Sequence, residues 1–210
     1  MAIQNFKLSV EEISFRLSLA KSRQESAISL EFPYPPGFFS TPPRKAAVLM
    51  PLLRINHGWH LLFTRRNAEL PEHGGQVAFP GGRSDAEDST LENTALRETY
   101  EEIGILPGDV SILGSLQVYH TITNYLVTPF VGVIGWPYKL DINHHEVSRV
   151  FTIPLNWLAN PASRQERTRI LPNPYQPVKV LYFQPYDGEI LWGASARFTV
   201  ALLNTLGWVD

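Results

Sequence analysis

The chain contains no cysteine among its 210 residues. Disulfide bonds, thiolate metal ligands and a cysteine nucleophile are therefore excluded. The sequence also lacks a continuous apolar run of the ~20 residues that a membrane-spanning helix requires. Its first residues do not show the charged and then apolar pattern of a signal peptide. We therefore expect a cytoplasmic protein that has no membrane partner.

An excess of charge of one sign is also missing. Lysine and arginine number 18 against 20 acidic residues, for a formal net charge of −2. Proteins that hold nucleic acid through its phosphates usually carry a basic surface, so we expect no nucleic-acid partner. Hydrophobic residues make up 44% of the chain and charged residues 18%. The length and composition indicate one globular domain with a sizeable core.

The segment from Arg97 to Gly104 carries the clearest chemical pattern. Its sequence is Arg-Glu-Thr-Tyr-Glu-Glu-Ile-Gly, with acidic residues at Glu98, Glu101 and Glu102. Residues three and four apart are neighbours on a helix, so these carboxylates lie on one stripe. Hard divalent cations such as Mg²⁺ and Mn²⁺ prefer oxygen ligands of this kind. The spacing therefore indicates a metal site, although a solvated acidic face would also have this pattern.

Local signals predict a helix from about Ser89 to Ile103. Asp88 or Ser89 can cap its first amides, and Gly104 can end it with positive φ. The apolar face is expected to comprise Leu96, Tyr100 and Ile103, joined by Leu91 and Ala95. Arg97 and Glu101 are four residues apart and can form an ion pair.

A glycine-rich turn precedes this helix, at Pro80-Gly81-Gly82. Glycine allows the backbone to turn tightly and to approach a ligand closely. Together with Arg97, the glutamates and Gly104, Gly82 completes six fixed identities at fixed spacing. At roughly one in fifteen per position, such a pattern arises by chance on the order of 10⁻⁷ per window. A metal site beside a glycine turn therefore becomes a better reading than a solvated surface, and it suggests chemistry on phosphates.

This segment resembles the Nudix box, G-x5-E-x7-R-E-U-x-E-E-x-G-U, where U is a bulky apolar residue. Five residues separate Gly82 from Asp88, which stands in place of glutamate, and eight residues rather than seven separate Asp88 from Arg97. Thr99 takes the first apolar position. The half that runs from Arg97 to Gly104 is intact, and in the family this half carries the metal site.

The resemblance implies an α/β fold, a Nudix-type α/β/α sandwich with a mixed β-sheet. It also implies hydrolysis of a diphosphate, with Mg²⁺ or Mn²⁺ held by Glu98, Glu101 and Glu102 and by a backbone carbonyl near Gly82. The predicted catalytic residues are Arg97 and two candidates for the general base, Glu98 and Glu146. The neighbours of Glu146, His144 and His145, are expected to be solvated rather than metal ligands.

The rest of the chain reads as strands mixed with a few helices. A capping box at Ser9-x-x-Glu12 predicts a helix to about Lys21. The proline-rich residues 32–43 are predicted to be a connector, so we expect residues 1–44 to pack on a Nudix domain formed by residues 45–210. Beyond these, the sequence predicts a final helix over 194–206 and the following strands: 46–53, 59–65, 112–120, 125–134, 149–153 and a hairpin of 178–184 with 189–192.

The similarity extends to the coenzyme A pyrophosphatase-like branch of the family, over about residues 45–200. The segments that carry it are Leu61–Arg65 leading into Phe79–Gly82, Asn124–Val131 and Trp192–Arg197. One departure is Pro71, because the branch commonly has an arginine there. The residues predicted to bind substrate phosphates are Arg65, Gly81, Gly82 and Arg83, with Arg66 a further candidate.

The resemblance implies that coenzyme A or a derivative is cleaved to 4′-phosphopantetheine and adenosine 3′,5′-bisphosphate. The alternatives are the same chemistry on ADP-ribose, a dinucleotide or a nucleoside triphosphate, and a non-catalytic nucleotide-binding module. The module is disfavoured because all three glutamates are present. The expected partner is a small nucleotide, and the N-terminal helix and proline-rich segment are candidates for a homodimer contact.

Overall fold

The computed structural model describes residues 8–26, 38–170 and 177–209. The α-helices are α1 (Val10–Ser26), α2 (Leu91–Ile103), α3 (Leu155–Ala159) and α4 (Gly193–Thr205). The strands are β1 (Arg44–Ile55), β2 (Gly58–Arg66), β3 (Val77–Ala78), β4 (Gly81–Arg83), β5 (Val110–Ser115), β6 (Tyr119–His120), β7 (Tyr125–Ile134), β8 (Val147–Pro154), β9 (Arg164–Arg169) and β10 (Val178–Phe183).

Strands β1 to β8 form one mixed sheet in the described part of the chain. The parallel pair at its centre is β1 with β7, and the other pairs are antiparallel. Strand β1 is long enough to pair with β2 at one end and, on the same side, with β4 at the other. The short strand β4 therefore lies in the sheet directly before helix α2.

The sheet is covered on both faces, which explains the near-continuous apolar sequence of β1. Because side chains alternate along a strand, Met50 and Leu52 face one side and Leu49 and Leu53 the other. The first side packs against α1 and α4, and the second against α2 through Ala95 and Ile103. The architecture is the predicted α/β/α sandwich.

Helix α1 packs on the sheet through Ile13 and Leu17, which are buried. The predicted capping box forms, since the Ser9 amide donates to Glu12 at 2.7 Å and the Glu12 amide to Ser9 Oγ at 3.2 Å. The helix continues to Ser26, five residues past the predicted end. The rest of the predicted connector, residues 32–37, lies outside the described residues, and a domain boundary at residue 44 stays a prediction. Within the described ranges, no helix is long and apolar enough to cross a membrane.

Helix α2 begins two residues later than predicted. Its cap is Thr90, whose hydroxyl accepts from the Asn93 amide, rather than Asp88 or Ser89. The predicted end is confirmed, because Gly104 has φ of 73° and its amide bonds to the Tyr100 carbonyl at 2.8 Å. The predicted apolar face is partly wrong: Tyr100 is 50% exposed, whereas Glu102 is buried. The helix presents Thr99 and Ile103 to the core, so its buried face is rotated towards the acidic stripe.

Two strand predictions need correction. The predicted strand 112–120 is two strands, β5 and β6, which are separated by residues 116–118. A register shift also lies within β5, between Ile112 and Gly114. The predicted hairpin of 178–184 with 189–192 forms only in part, through the isolated antiparallel bridges of Tyr182 with Trp192 and of Tyr186 with Glu189. The continuous partner of β10 is β9, which the sequence analysis missed. Strand β9 is rich in arginine and mostly exposed, so it lacks the alternation that marks a half-buried strand.

Replacing Gly104 by alanine is expected to destabilise the fold by about 1–3 kcal/mol, because a side chain there takes on left-handed strain. The added Cβ would also lie 2.6 Å from the Asp141 Cβ and 2.8 Å from its amide nitrogen. Denaturant unfolding measures the effect. Gly108→Ala is the matched control, because a Cβ there meets no atom within 4 Å. Equal stabilities for the two variants would contradict the prediction.

Candidate active site

Arg97 lies at the centre of the acidic edge of α2. Its Nη1 donates to Glu98 at 3.0 Å and to Glu101 at 2.9 Å. Its Nη2 donates to the Arg83 carbonyl at 3.2 Å. The predicted ion pair of Arg97 with Glu101 is confirmed. One guanidinium thus fixes two of the glutamates that were predicted to bind metal and ties both to the end of β4.

Asp88 anchors the other side of the Arg97 guanidinium. The two side chains form a bidentate pair, with Nε to Oδ1 at 3.0 Å and Nη2 to Oδ2 at 2.9 Å. Oδ2 also accepts from the Thr94 hydroxyl at 2.8 Å. The Arg97 hydrogen bonds hold the pKa of Asp88 well below its ordinary value. Asp88 therefore orients the Arg97 guanidinium from the loop, at a position where the box pattern has glutamate.

Gly82 brings the sheet into contact with the helix. A Cβ on this residue would lie 2.5 Å from the Glu98 carboxylate carbon. Its neighbour Gly81 has φ of 149°, and a Cβ there would lie 2.4 Å from the Ala47 carbonyl. Both glycines thus allow close packing of β4, on β1 and under α2. Whether they also bind substrate phosphates stays a prediction.

Glu102 is a buried carboxylate. Its Oε1 lies 3.6 Å from Arg66 Nη1, and its Oε2 has no hydrogen-bond partner among the described residues. Burial raises the pKa of Glu102 to about 8, an effect that Arg66 opposes and that the charges of Glu98 and Glu146 reinforce. The protein thus supplies too little positive charge around Glu102 to favour its ionised form.

Glu98 and Glu146 contribute to the same local field. Burial raises the pKa of Glu98; the Arg97 charge opposes this, and the charges of Glu101 and Glu146 add to it. Glu146 is 48 positions further along the chain than Glu98, so its electrostatic effect on Glu98 results from the fold and not from sequence proximity. The Glu146 carboxylate therefore lies close enough to Glu98 and Glu102 for its charge to raise the pKa of both.

The donor set fits a hard divalent cation. Glu98, Glu101 and Glu102 offer carboxylate oxygens, and the unpartnered Glu102 Oε2 is an atom that a cation would satisfy. In the ranges that the structure describes, however, no three acidic or imidazole side chains converge at metal-binding distance. Glu101 accounts for part of this, because its Oε2 is held by Arg97 and its side chain is 49% exposed. The three assignments as metal ligands stay predictions.

Among the described residues, neither Arg65 nor Arg83, the two arginines predicted to bind substrate, forms an ion pair with the glutamates of this cluster. Arg65 Nη1 is 3.4 Å from Glu189 Oε1, an oxygen that also accepts from Arg149 at 3.1 Å. Arg65 and Arg149 are paired in the β2–β8 register. Arg83 is exposed at the end of β4 and offers its carbonyl to Arg97. Arg66, one residue after Arg65, is the arginine of this strand that contacts the glutamate cluster.

Sequence reasoning missed Asp88 as the partner of Arg97 and Arg66 as the partner of Glu102. The first had a signal, since Asp88 stands near the acidic position of the box pattern. It also missed Asn143, whose side-chain amide donates to Glu146 at 3.1 Å. Asn143 lies three residues before Glu146 in the same turn, and the sequence analysis did not recognise this local spacing. His144 and His145 are exposed, as predicted.

Comparison with known sequences identifies the class. Residues 43–173 match the family model described as NUDIX domain. A Nudix hydrolase of Photorhabdus laumondii, named NudL and described as uncharacterized, is 37% identical over 175 residues, covering 80% of this chain and 87% of its own. Its counterpart in Yersinia enterocolitica is 38% identical over 162 residues, covering 77% and 80%. The chain therefore belongs to the Nudix hydrolase family, and its activity is that of a pyrophosphohydrolase.

Members of this family generally use divalent metal ions. Among solved structures, the Nudix hydrolase RenU of M. smegmatis aligns with 57% of this chain and 76% of its own, at 19% identity and a TM-score of 0.49. Similarity at this level gives no information about the substrate of the present chain.

Asp88→Asn is expected to lower the free energy of unfolding at pH 7 by about 1–3 kcal/mol, because it removes charged hydrogen bonds to Arg97. The folded protein depresses the pKa of Asp88 below its ordinary value of 3.8. The stabilisation is therefore complete above that pH and is lost as the pH falls through the folded pKa. Chemical denaturation from pH 7 to pH 3 should show the difference between wild type and variant shrinking only at the acidic end.

Asp85→Asn is the control for this prediction. Its side chain is 62% exposed and lies 3.7 Å from Arg97 Nη2. We expect it to change stability by less than about 0.5 kcal/mol, as most exposed substitutions do. A loss as large as that of Asp88→Asn would show that general surface charge, rather than the bidentate pair, stabilises this loop.

Proposed function

We propose that the protein hydrolyses the diphosphate of coenzyme A or a close derivative, and releases 4′-phosphopantetheine and adenosine 3′,5′-bisphosphate. Activity on nucleoside diphosphate derivatives follows from the family. The choice of coenzyme A is supported by the segments Leu61–Arg65, Asn124–Val131 and Trp192–Arg197, which resemble that branch. The observation that carries the site is the buried, incompletely neutralised Glu102 beside Glu98.

Mg²⁺ or Mn²⁺ would be held by Glu98, Glu101 and Glu102, with Arg97 orienting the first two. When bound, such ions neutralise the diphosphate charge and lower the pKa of a nearby water. Hydrolysis then requires mainly positioning, since water displaces one phosphate in line and no covalent nucleophile is needed. Arg97 acts on the carboxylates and not on the substrate, because its guanidinium is already occupied by Asp88, Glu98 and Glu101.

Glu146 is the stronger of the two candidates for the general base. Glu98 accepts a hydrogen bond from the Arg97 guanidinium at 3.0 Å, which fixes its orientation and occupies one of its oxygens. Within residues 8–26, 38–170 and 177–209, no lysine or arginine forms an ion pair with Glu146. Its carboxylate nevertheless acts on the pKa of both Glu98 and Glu102. An unpaired carboxylate at the edge of the cluster is suited to accept a proton from water.

Glu101→Gln and Glu102→Gln are expected to reduce turnover by at least about 100-fold while the protein stays folded, because each removes a charged metal ligand. Mn²⁺ should raise the unfolding temperature of the wild type, since a ligand of the native state stabilises it. We expect this rise to be lost in both variants. Thermal scans with EDTA and with Mn²⁺ separate loss of metal binding from loss of folding, and wild-type turnover in either variant would rule out the proposed site.

The substrate assignment is tested by incubating the protein with Mg²⁺ or Mn²⁺ and a panel of coenzyme A, ADP-ribose, a dinucleoside polyphosphate and a nucleoside triphosphate. We expect the highest kcat/KM for coenzyme A, with products identified by mass spectrometry. Cleavage of ADP-ribose but not of coenzyme A would reject the branch assignment and leave the hydrolase chemistry in place. This outcome is physically reasonable because Pro71 replaces an arginine that could contact a phosphate.

A further inference from the structure

The loop between β7 and β8 is tied to the end of helix α2. The Asp141 amide donates to the Ile103 carbonyl at 3.1 Å, and the Asn143 amide to the Glu102 carbonyl at 2.9 Å. Carbonyls in the last turn of a helix have no partner within the helix, so the loop supplies what a cap would otherwise provide. The helix that carries the glutamates and the loop that carries Glu146 are thereby joined through their backbones.

Asn143 extends this connection to the Glu146 carboxylate. Its Nδ2 donates to Glu146 Oε1 at 3.1 Å, while its Oδ1 accepts from the His145 amide at 3.2 Å. One contact requires a donor and the other an acceptor, so together they determine the orientation of the amide. The Asn143 carbonyl also accepts from the amides of Glu146 at 3.0 Å and Val147 at 2.8 Å.

We propose that Asn143 is a positioning residue that holds the Glu146 carboxylate in register with the glutamates of α2. This inference rests on the proposed role of Glu146 as general base. Asn143 alone makes both contacts: its backbone amide bonds to the Glu102 carbonyl of α2, and its side-chain amide bonds to the Glu146 carboxylate. This residue therefore sets the separation between Glu146 and the helix. A general base must lie within hydrogen-bond reach of its water, so a small change in this separation lowers kcat more than it weakens binding.

Asn143→Asp tests the proposal with almost no change in shape. The new carboxylate can still accept from the His145 amide, and the backbone amide of residue 143 can still donate to the Glu102 carbonyl. The carboxylate cannot, however, donate to the Glu146 carboxylate, and it repels that group. We expect kcat to fall by about tenfold or more, a part of the 10²–10⁴-fold that a general base contributes, with KM within about twofold of wild type. The assay uses whichever panel compound is cleaved fastest, so that rejecting coenzyme A leaves this test intact.

Asn67→Asp is the matched control. The Asn67 side-chain amide donates to the His144 carbonyl at 2.9 Å, and its oxygen accepts from the Glu69 amide at 3.1 Å. The same substitution therefore removes an anchor of the same loop and changes no contact of the Glu146 carboxylate. The Asn67 backbone amide, which donates to the Glu146 carbonyl at 2.7 Å, is unchanged. We expect kcat within about threefold of wild type, as for a site outside the catalytic contacts. Thermal unfolding of both variants shows whether the loop and the helix remain folded.

A double-mutant cycle that combines Asn143→Asp with Glu146→Gln shows whether Asn143 affects kcat through Glu146. If Asn143 acts through Glu146, Asn143→Asp should change kcat by less than about twofold in the Glu146→Gln background, because residues that act as a unit are not additive. Three results would each overturn the proposal: the same fold-loss in both backgrounds, an equal loss in Asn67→Asp, or full activity of Glu146→Gln.

Discussion

The geometry of the site depends on the five donors of one guanidinium. Arg97 bonds Asp88 through two of them and directs others to Glu98, Glu101 and the Arg83 carbonyl. Its surroundings supply more negative charge than positive, and the pKa of Arg97 is raised mainly by its hydrogen bonds to Asp88. A lysine could not reproduce this arrangement, because a single ammonium cannot form the planar fork that these contacts need. Loop, strand and helix therefore meet at one side chain.

Several features of the fold and of the site could be predicted from local sequence, because the contacts that form them lie between residues close in the chain. The capping box of Ser9 and Glu12 and the helix end at Gly104 each depend on residues within one turn, and both formed as predicted. The pairing of Arg97 with Glu101 follows from helical spacing alone. The central strands could also be predicted, since their apolar runs are long and are bounded by turns.

The remaining features depend on contacts between distant parts of the chain. Tyr100 has the spacing of a core residue but is exposed, because the packing of β4 against Glu98 and of the β7–β8 loop against Gly104 sets the rotation of α2. Strand β9, the partner of β10, was missed because its sequence has no apolar alternation. The pairing, for example of Arg167 with Val180, can be identified only from the three-dimensional structure. Similarly, no spacing rule connects Arg66 with Glu102, or Asn143 with the Glu102 carbonyl.

Gly82 has no side chain, and this allows strand β4 to lie close to helix α2. The Glu98 carboxylate occupies the volume that a methyl group would need there. A Cβ at residue 82 would therefore require the Glu98 carboxylate to move, although Arg97 holds it through a hydrogen bond of 3.0 Å. The hydrogen that takes the place of a side chain at residue 82 thus leaves room for the pairing of Glu98 with Arg97 beside the end of β4.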